Sequence, residues 1–563
     1  MREELFVKNA RLRARDALHD IHIREGKFYR VAPAAVLAAP EDARVIDAGG
    51  RLVIPPLCDP HQHLDATLSV GNPRYNMSGT LLEGIQIWGE RKRTLTKEII
   101  KENAIKAIKW EVANGVLRMR THADATDRSL LTVEALAEVR EEMKDLVDLQ
   151  IVAFPQDCVF TFEGGTDLMD RAMRMGCDVV GGLPYIEFSR EDGVADVKFA
   201  FDLAEKYGAL VDIHCDENTD DQSRFVEVVA REAIVRGMEG RATASHTTAM
   251  HNYNNDYAFK LMGVLQRASL NIITNPYPNS VLQNRTDGYP RRRGCTRVDE
   301  LLAAGVNVCI GHDDLMDPWY PMGKGSMLGA ANLLMHTAQL SGYDQIGQLL
   351  DMITVNSART MCLEDYGIEE GNSADFVVLD ADTPFDAVRL TCECLYVVRR
   401  GKIVCETEPA RRELRFGGRT ETIDFKLRPP DTAENHNIWK EGSVCHCKGR
   451  IPGVKRSSSY RAACSTPTTR CATSRGTAGS ASTWSRSCTN TTSACSRWTA
   501  PRRSTSASSA GSTPRTSTTT SASAASAARS RCATSTTWRA TCRWATRRWR
   551  CSPATAPRPA ASR

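Results

Sequence analysis

The sequence contains no run of the ~18 to 20 apolar residues that a membrane-spanning helix needs. Residues 1–15 mix charges of both signs and lack the apolar segment of a secretory signal peptide. No Cys-x-x-Cys pair occurs among the 19 cysteines, so we expect no cysteine-ligated zinc site. These absences predict a cytoplasmic protein with buried, reduced thiols and no membrane association.

The C-terminal part of the sequence lacks whole classes of side chains. From Gly442 to Arg563 there are 21 Lys or Arg residues and no Asp or Glu, so the rest of the chain is acidic although the total formal charge is +5. Residues 456–563 also contain no Leu, Ile, Val, Phe or Met. Because apolar side chains must offset the entropy lost on ordering, we predict that residues 427–563 form a disordered, low-complexity tail.

Two interpretations of this tail follow from its composition. Apart from Tyr460 and Asn490, residues 456–563 are all Ser, Thr, Pro, Ala, Arg, Gly, Cys or Trp, whose codons have C or G in the middle position. A GC-rich gene read one base out of frame yields that set, so we interpret the tail as a frameshift product. The alternative is a nucleic-acid-binding appendage, in which Arg attracts phosphates and Trp stacks on bases. We expect no nucleic-acid partner.

Short β-branched runs alternate with amphipathic segments through the middle of the chain. Residues 97–114 and 132–144, for example, carry apolar residues at three- and four-residue spacing, which is typical of helices. The first predicted strand ends at His61, and seven more cover 116–122, 149–154, 178–183, 210–214, 241–246, 271–275 and 306–313. Eight strands alternating with helices predict an α/β fold, a (β/α)8 TIM-like barrel over residues 55–370, with its active site at the carboxyl ends of the strands.

Short strands also lie on either side of the predicted barrel. Residues 5–7 and 20–31 belong to an N-terminal group, and residues 374–379 and 394–404 repeat the same pattern near the end of the folded region. Each group alone is too small to bury a core. We therefore predict one small β-sandwich that combines residues 1–54 with residues 371–426.

Histidines and carboxylates follow four of the predicted barrel strands. They are His61 and His63 after the first strand, His214 with Glu217 after the fifth, His246 after the sixth and Asp313 after the eighth. Since these strand ends meet at one mouth of a barrel, the side chains are expected to converge there. Three imidazoles and one carboxylate suit a single zinc or ferrous ion with one position open for water, whose pKa the ion lowers to about 7.

Two further features of this metal site are the identity of the third imidazole ligand and the number of ions. The spacing of the residues leaves the first of them open. It does not distinguish His214 from His246 as the third imidazole ligand. Residues 179–185, at the end of the fourth strand, contain no lysine that could be carboxylated to bridge two ions, so we predict one metal ion. We interpret three further histidines near strand ends or loops as structural or as supports for the ligands. They are His122, His251 and His312.

Several longer motifs contain or adjoin the candidate site residues. They include Pro60 to Asp65, Ile213 to Glu217, Ala244 to Met250, Gly311 to Asp314 and Asp317 to Pro321. These motifs resemble those of bacterial cytosine deaminases in the amidohydrolase superfamily, and the resemblance runs from about residue 1 to Lys426. The metal motifs are common to the superfamily, whereas Pro155-Gln156, Ser245 to Met250 and Asp313 to Tyr320 are more specific. The H-x-E and P-C-x-x-C signature of the unrelated zinc deaminases is absent.

The resemblance implies roles for the candidate site residues. The ligands of one divalent ion per subunit, Fe2+ or Zn2+, would be His61, His63, His214 and Asp313. Glu217 would protonate the ring nitrogen and pass another proton to departing ammonia, and Asp313 would accept the proton of the attacking water. His246 would orient that water without binding the ion.

The resemblance also implies the substrate pocket and the reaction. The pocket residues would be Leu81, Phe154, Gln156, Asp314 and Trp319. The amide of Gln156 offers a donor and an acceptor, which match the O=C–N–H edge of a pyrimidine. We expect hydrolysis of cytosine to uracil and ammonia by a homo-oligomer. The alternative substrates are isoguanine, 5-methylcytosine and creatinine, since a one-methyl change in a pocket alters specificity by only ~1 to 3 kcal/mol.

Overall fold

The computed structural model of the protein describes residues 4–13 and 15–426. The predicted tail, residues 427–563, lies outside the described residues. Five short strands open the described part of the chain. They are β1 (Leu5–Leu12), β2 (Leu18–Arg24), β3 (Lys27–Pro33), β4 (Arg44–Asp47) and β5 (Leu52–Ile54). β1 pairs antiparallel with β2 and parallel with both β4 and β5, so it lies in the middle of the group.

The next eight strands form the barrel. They are β6 (Leu57–Gln62), β7 (Val116–Asp124), β8 (Asp148–Phe154), β9 (Val179–Gly182), β10 (Leu210–Cys215), β11 (Ala242–His246), β12 (Asn271–Thr274) and β13 (Asn307–Ile310). Neighbours in chain order pair in parallel from β6 to β13. A bridge between Gln62 and Asp313 joins the last strand to the first. The predicted (β/α)8 fold is therefore confirmed.

Helices follow the barrel strands, and a last helix follows the first strand after the barrel. They are α1 (Leu81–Lys92), α2 (Lys97–Ala113), α3 (Leu131–Met143), α4 (Gly165–Arg174), α5 (Arg190–Tyr207), α6 (Phe225–Arg236), α7 (Asn255–Arg267), α8 (Pro276–Leu282), α9 (Val298–Ala303), α10 (Met327–Thr337), α11 (Tyr343–Met352), α12 (Val355–Thr360) and α13 (Pro384–Leu390). The side chains of Thr80, Thr96 and Ser189 cap the first backbone N–H groups of α1, α2 and α5.

Five strands end the described part of the chain. They are β14 (Phe376–Leu379), β15 (Cys394–Arg399), β16 (Lys402–Glu406), β17 (Glu413–Phe416) and β18 (Arg419–Thr422). β14 pairs antiparallel with β5, with Val378 opposite Val53, so strands from both ends of the folded region build one continuous eight-stranded sheet. β17 and β18 form a separate hairpin. The apolar core of the sheet includes Val7, Ile21 and Phe376.

A buried cluster of charges joins this sheet to the barrel. Asp375, just before β14, accepts hydrogen bonds from Arg118 on β7 (2.6 Å) and from Arg399 on β15 (2.9 Å). Arg399 and Arg118 also pair with Asp148 at the start of β8. Because Arg118, Asp375 and Arg399 are each at most 5% exposed, water compensates little of their charge and they depend on one another.

The structure also bears on the expected reduced thiols and on the expected absence of a membrane-spanning helix. All ten cysteines between residues 4 and 426 are free thiols, and most of them are buried. Burial raises the pKa of several of these thiols, including Cys58 and Cys309, to about 12, so they are protonated and unreactive. None of the helices within residues 4–426 is long and apolar enough to cross a membrane.

Candidate active site

The first two histidines lie at the carboxyl end of β6, where the barrel closes. The backbone N–H of Asp313 donates to the carbonyl of His61 (2.7 Å), and the N–H of His63 donates to the carbonyl of Asp313 (3.0 Å). Between them, Gln62 accepts a bond from the His63 N–H (2.9 Å) and donates to buried Glu111 (2.8 Å). The backbone that closes the barrel thus also brings both imidazoles next to the Asp313 carboxylate.

The side chains of the predicted metal ligands contact one another. His63 Nε2 is 3.1 Å from His214 Nε2, and the nearest Asp313 oxygen is 3.3 Å from His61 Nε2 and 3.5 Å from His63 Nε2. Asp313 has a positive φ of 70°, a conformation that few non-glycine residues adopt. Such strain is common where a side chain must be held in a site.

The donor atoms of this cluster fit a divalent cation. His61 Nε2 and His214 Nδ1 are buried and have no hydrogen-bond partner among the described residues. Burial, reinforced by the neighbouring imidazoles, holds the pKa of both histidines well below its usual value, so both rings are neutral and able to ligate. Burial raises the pKa of Asp313, and a nearby cation would oppose that rise.

His122 lies closer to these ligands than its interpretation from sequence suggested. Its ring centroid is 4.1 Å from that of His61 and 5.0 Å from that of His63. Two overlapping groups have ligand atoms within 4.8 Å of one another: His61, His63, His122 and His214, and His61, His214, His246 and Asp313. By contrast, His312 Nδ1 lies 3.0 Å from the Asp314 carbonyl oxygen, as expected of a structural histidine.

His246 has hydrogen-bond partners that His214 lacks. The side-chain amides of Asn279 and Asn275 lie 3.1 and 3.3 Å from His246 Nδ1. The same nitrogen is 3.6 Å from Glu217 and 3.7 Å from Asp313. His246 is therefore held beside both carboxyl groups by two asparagines that sequence reasoning did not identify.

Glu217 is buried at the same end of the barrel, on the loop after β10. Its Oε2 accepts a hydrogen bond from the Tyr185 hydroxyl (2.9 Å), and the Gln283 amide lies 3.4 Å from its Oε1. Burial raises the pKa of Glu217 to about 7, although both hydrogen bonds oppose the rise. A carboxyl in this position can bind and release a proton near neutral pH.

A cavity opens directly above these groups. All five predicted substrate contacts line it: Leu81, Phe154, Gln156, Asp314 and Trp319. Sequence reasoning missed four further lining residues, Ile85, Leu183, Tyr185 and Leu282. For two of them a signal existed, because Ile85 lies one helical turn after Leu81 and Tyr185 closely follows the fourth strand.

Trp319 reaches the cavity because α1 contains a glycine at the contact. A Cβ atom at Gly84 would lie 2.3 Å from the Trp319 ring, closer than real atoms approach. The ring packs beside Trp88 of the same helix, and Trp88 donates a hydrogen bond to Asp124 (2.9 Å). Helix α1 therefore forms one wall of the cavity together with Trp319.

Residues 44–405 of the chain match the amidohydrolase family, a family of enzymes that use a divalent metal. With its barrel and its His/Asp cluster, the chain belongs to that family. The chain is 46% identical to a 5-methylcytosine deaminase from Klebsiella pneumoniae solved with 5-fluorocytosine, with a TM-score of 0.71; the match covers 74% of this chain and 100% of that chain. The predicted superfamily is therefore confirmed.

Two curated relatives are named for other substrates. N-isopropylammelide isopropyl amidohydrolase from Pseudomonas sp. (strain ADP) is 28% identical over 416 residues, which are 72% of this chain and 98% of the relative. Pterin deaminase from Rhizobium rhizogenes is 26% identical over 401 residues, which are 70% of this chain and 90% of the relative. The chain is therefore a metal-dependent hydrolase of the amidohydrolase family, and its substrate is a separate question.

Proposed function

We propose that the protein hydrolyses cytosine to uracil and ammonia. The observation that carries this proposal is the side chain of Gln156, which is 8% exposed and lines the same cavity as Glu217 and Asp313. Its amide group carries both a donor and an acceptor, so it suits a ligand that offers both in return. The O=C–N–H edge of cytosine does so.

The size of the cavity supports a small ring. The space between its lining residues, open mouth included, is about 400 Å³. We propose that it holds a free base and not a nucleoside.

The ligand set and the proton carriers are arranged for addition of water to the ring. A divalent cation bound by His61, His63, His214 and Asp313 would supply an activated water at neutral pH. Asp313 would accept a proton from the attacking water, and Glu217 would give a proton to the ring nitrogen next to the amine-bearing carbon. The hydrogen bond from Tyr185 orients Glu217 for this transfer.

Glu217, now ionised, takes a second proton from the hydroxyl group added to the ring and passes it to the amine, which leaves as ammonia when the C–N bond breaks. The proton held by Asp313 then returns to Glu217. His246, held by Asn275 and Asn279, orients the attacking water. In this proposal His246 does not bind the ion, because the two asparagine amides already contact the nitrogen that faces Asp313.

A second candidate substrate is 5-methylcytosine. The 46% identity to the Klebsiella pneumoniae 5-methylcytosine deaminase favours it. The apolar lining formed by Leu81, Ile85 and Leu282 can also accept a methyl group. Since one methyl group changes binding by only ~1 to 3 kcal/mol, activity on both bases is expected to differ in degree.

Steady-state ammonia release tests the proposal directly. The panel comprises cytosine, 5-methylcytosine, isoguanine, creatinine and a pterin, each with zinc-loaded and iron-loaded protein. We expect the highest kcat/KM for cytosine or its 5-methyl derivative. If none of the five compounds released ammonia, the deaminase function would be contradicted. A preference for the pterin would contradict the assignment of a pyrimidine substrate. The same preparations test the predicted homo-oligomer by light scattering.

A further inference from the structure

A chain of buried hydrogen bonds runs from the candidate metal ligand His61 into the interior of the barrel. His61 Nδ1 lies 3.0 Å from the Ser245 hydroxyl, and that hydroxyl donates to Asp212 Oδ1 (2.6 Å). The other Asp212 oxygen accepts a hydrogen bond from Arg120 (3.0 Å). All four residues are 0% exposed, so water takes no part in this chain.

Arg120 is itself fixed at both ends of its guanidinium group. Its Nε donates to the side chain of Gln150 on β8 (3.1 Å), and a terminal nitrogen donates to the Thr360 carbonyl at the end of α12 (3.1 Å). Burial raises the pKa of Asp212, and Arg120 opposes that rise. An ion pair in the barrel interior carries a large desolvation cost, so its presence there calls for a role beyond stability.

The direction of each hydrogen bond follows from the chemistry of the groups. A carboxylate paired with arginine can only accept, so the single hydrogen of the Ser245 hydroxyl points to Asp212. The Ser245 oxygen can then only accept from His61. His61 therefore carries its proton on Nδ1. Its Nε2, which has no hydrogen-bond partner among residues 4–426, presents a lone pair toward the neighbouring ligands.

We propose that Ser245, Asp212 and Arg120 are positioning residues that fix the tautomer and ring orientation of His61 for binding a divalent cation through Nε2. Ring nitrogens of metal ligands are commonly held in this way by a group behind the ligand. Here the group is a serine whose own direction is set by a buried ion pair. The proposal deepens the proposed function and rests on its metal site, but not on the identity of the substrate.

The first test replaces Ser245 by Ala, which removes one atom. We expect the Zn2+ affinity, measured by competition with a chromophoric chelator, to fall about 10- to 100-fold. The absorption spectrum of the Co2+-loaded protein should change as well. Ser357→Ala is the matched control, because Ser357 is also 0% exposed. Its hydroxyl donates to the Met352 carbonyl (2.7 Å), which is not part of the hydrogen-bond chain behind His61.

The second test replaces Asp212 by Asn, which keeps the shape and reverses one hydrogen bond. Arg120 needs an acceptor, so the Asn oxygen turns to Arg120 and its NH2 group donates to Ser245. The Ser245 hydroxyl then donates to His61 Nδ1, and the proton moves to Nε2. We expect Asp212→Asn to bind Zn2+ more weakly than Ser245→Ala does, since a wrong tautomer can disable a histidine while the geometry persists.

The outcomes separate positioning from general stability. The proposal stands if Ser245→Ala loses Zn2+ affinity while the metal-free protein unfolds at the same urea concentration as Ser357→Ala. It is overturned if Ser245→Ala binds Zn2+ as wild type does, or if Ser357→Ala loses as much affinity. Should Asp212→Asn not fold, Ser245→Ala decides alone. Failure to deaminate any base would contradict the proposed function and leave this measurement intact.

Discussion

At the scale of single residues, the position of Glu217 shows how a barrel makes a proton carrier. The carboxyl group is buried, yet Tyr185 and Gln283 each contact one of its oxygens. Burial favours the protonated form and the two donors favour the ionised form, so the two influences partly cancel. A group balanced in this way exchanges protons at neutral pH with little cost.

Replacing Glu217 by Gln is expected to abolish turnover without loss of metal. The amide keeps the shape of the side chain and can still accept from Tyr185, but it carries no transferable proton. We expect kcat to fall about 10²- to 10⁴-fold, the usual contribution of a general acid–base group. Steady-state assays and metal analysis of the same preparation measure both quantities. Substantial turnover in the variant would remove Glu217 from the mechanism.

The pH profile gives a second prediction for Glu217. The protonated form delivers the first proton, so kcat/KM should fall as pH rises above about 7. The Tyr185 hydrogen bond lowers the pKa of Glu217, and Tyr185→Phe removes it. The alkaline limb of the variant should therefore lie at higher pH than that of wild type. Profiles that coincide would show that the hydroxyl does not act on this group.

At the scale of elements, helix α1 and the loop carrying Trp319 depend on each other. Gly84 lets the indole ring approach the helix backbone, whereas Gly89, on the same helix, has no atom within 4 Å of where its Cβ would be. The helix also contributes Leu81 and Ile85 to the cavity. A change at this contact should therefore affect substrate binding more than folding.

The two glycines of α1 form a matched pair for testing this contact. Gly84→Ala forces the Trp319 ring to shift, and overpacking of this kind costs ~1 to 3 kcal/mol, so we expect kcat/KM to fall about tenfold. Gly89→Ala should keep kcat/KM and raise the free energy of unfolding by up to ~1 kcal/mol, since alanine favours helices. If both changes had the same effect on kcat/KM, the contact between Gly84 and Trp319 would have no particular role in substrate binding.

The strands and helices were largely predictable from the sequence, because each has a characteristic pattern of apolar and polar residues within its own segment. The strands β7 and β8 are mostly buried, and polar residues such as His122 and Gln156 lie at or just after their carboxyl ends. Contacts between different loops leave no such signal. The bond from Tyr185 to Glu217 and the amides of Asn275 and Asn279 at His246 depend on how separate strand ends face one another.

The interior of the barrel shows the same limit. Ser245 lies in a motif that the sequence singled out as specific. Its partner Asp212 is on the neighbouring strand β10, and Arg120 is on β7, three strands from Asp212. Alternation along a strand predicts which residues point inward. It does not predict which inward residues from different strands meet, because that depends on the stagger of the closed barrel.

At the scale of the whole molecule, the barrel and the eight-stranded sheet are joined by charge as well as by apolar contact. Asp375 contacts two arginines, one from each part. Neither Arg118 nor Arg399 is accessible enough for water to replace that carboxylate. The junction therefore stabilises both parts together.

Replacing Asp375 by Asn is expected to lower the free energy of unfolding by about 3 to 5 kcal/mol, because it leaves buried arginines without their full compensation. Glu163→Gln is the control: its partner Arg128 and Glu163 itself are 70% and 93% exposed, and exposed pairs contribute ~1 kcal/mol or less. Urea unfolding of both variants measures the difference. A loss no greater than that of the control would mean that apolar packing alone holds the junction.

The pairing of Val53 with Val378 joins two strands that are synthesised far apart in time. β5 emerges from the ribosome long before β14, so one edge of the sheet stays unpaired while the entire barrel is being made. Contacts between such distant segments form slowly, and an open strand edge invites pairing with other chains. A polypeptide released before β14 is complete is therefore expected to aggregate, even though every metal ligand precedes that strand.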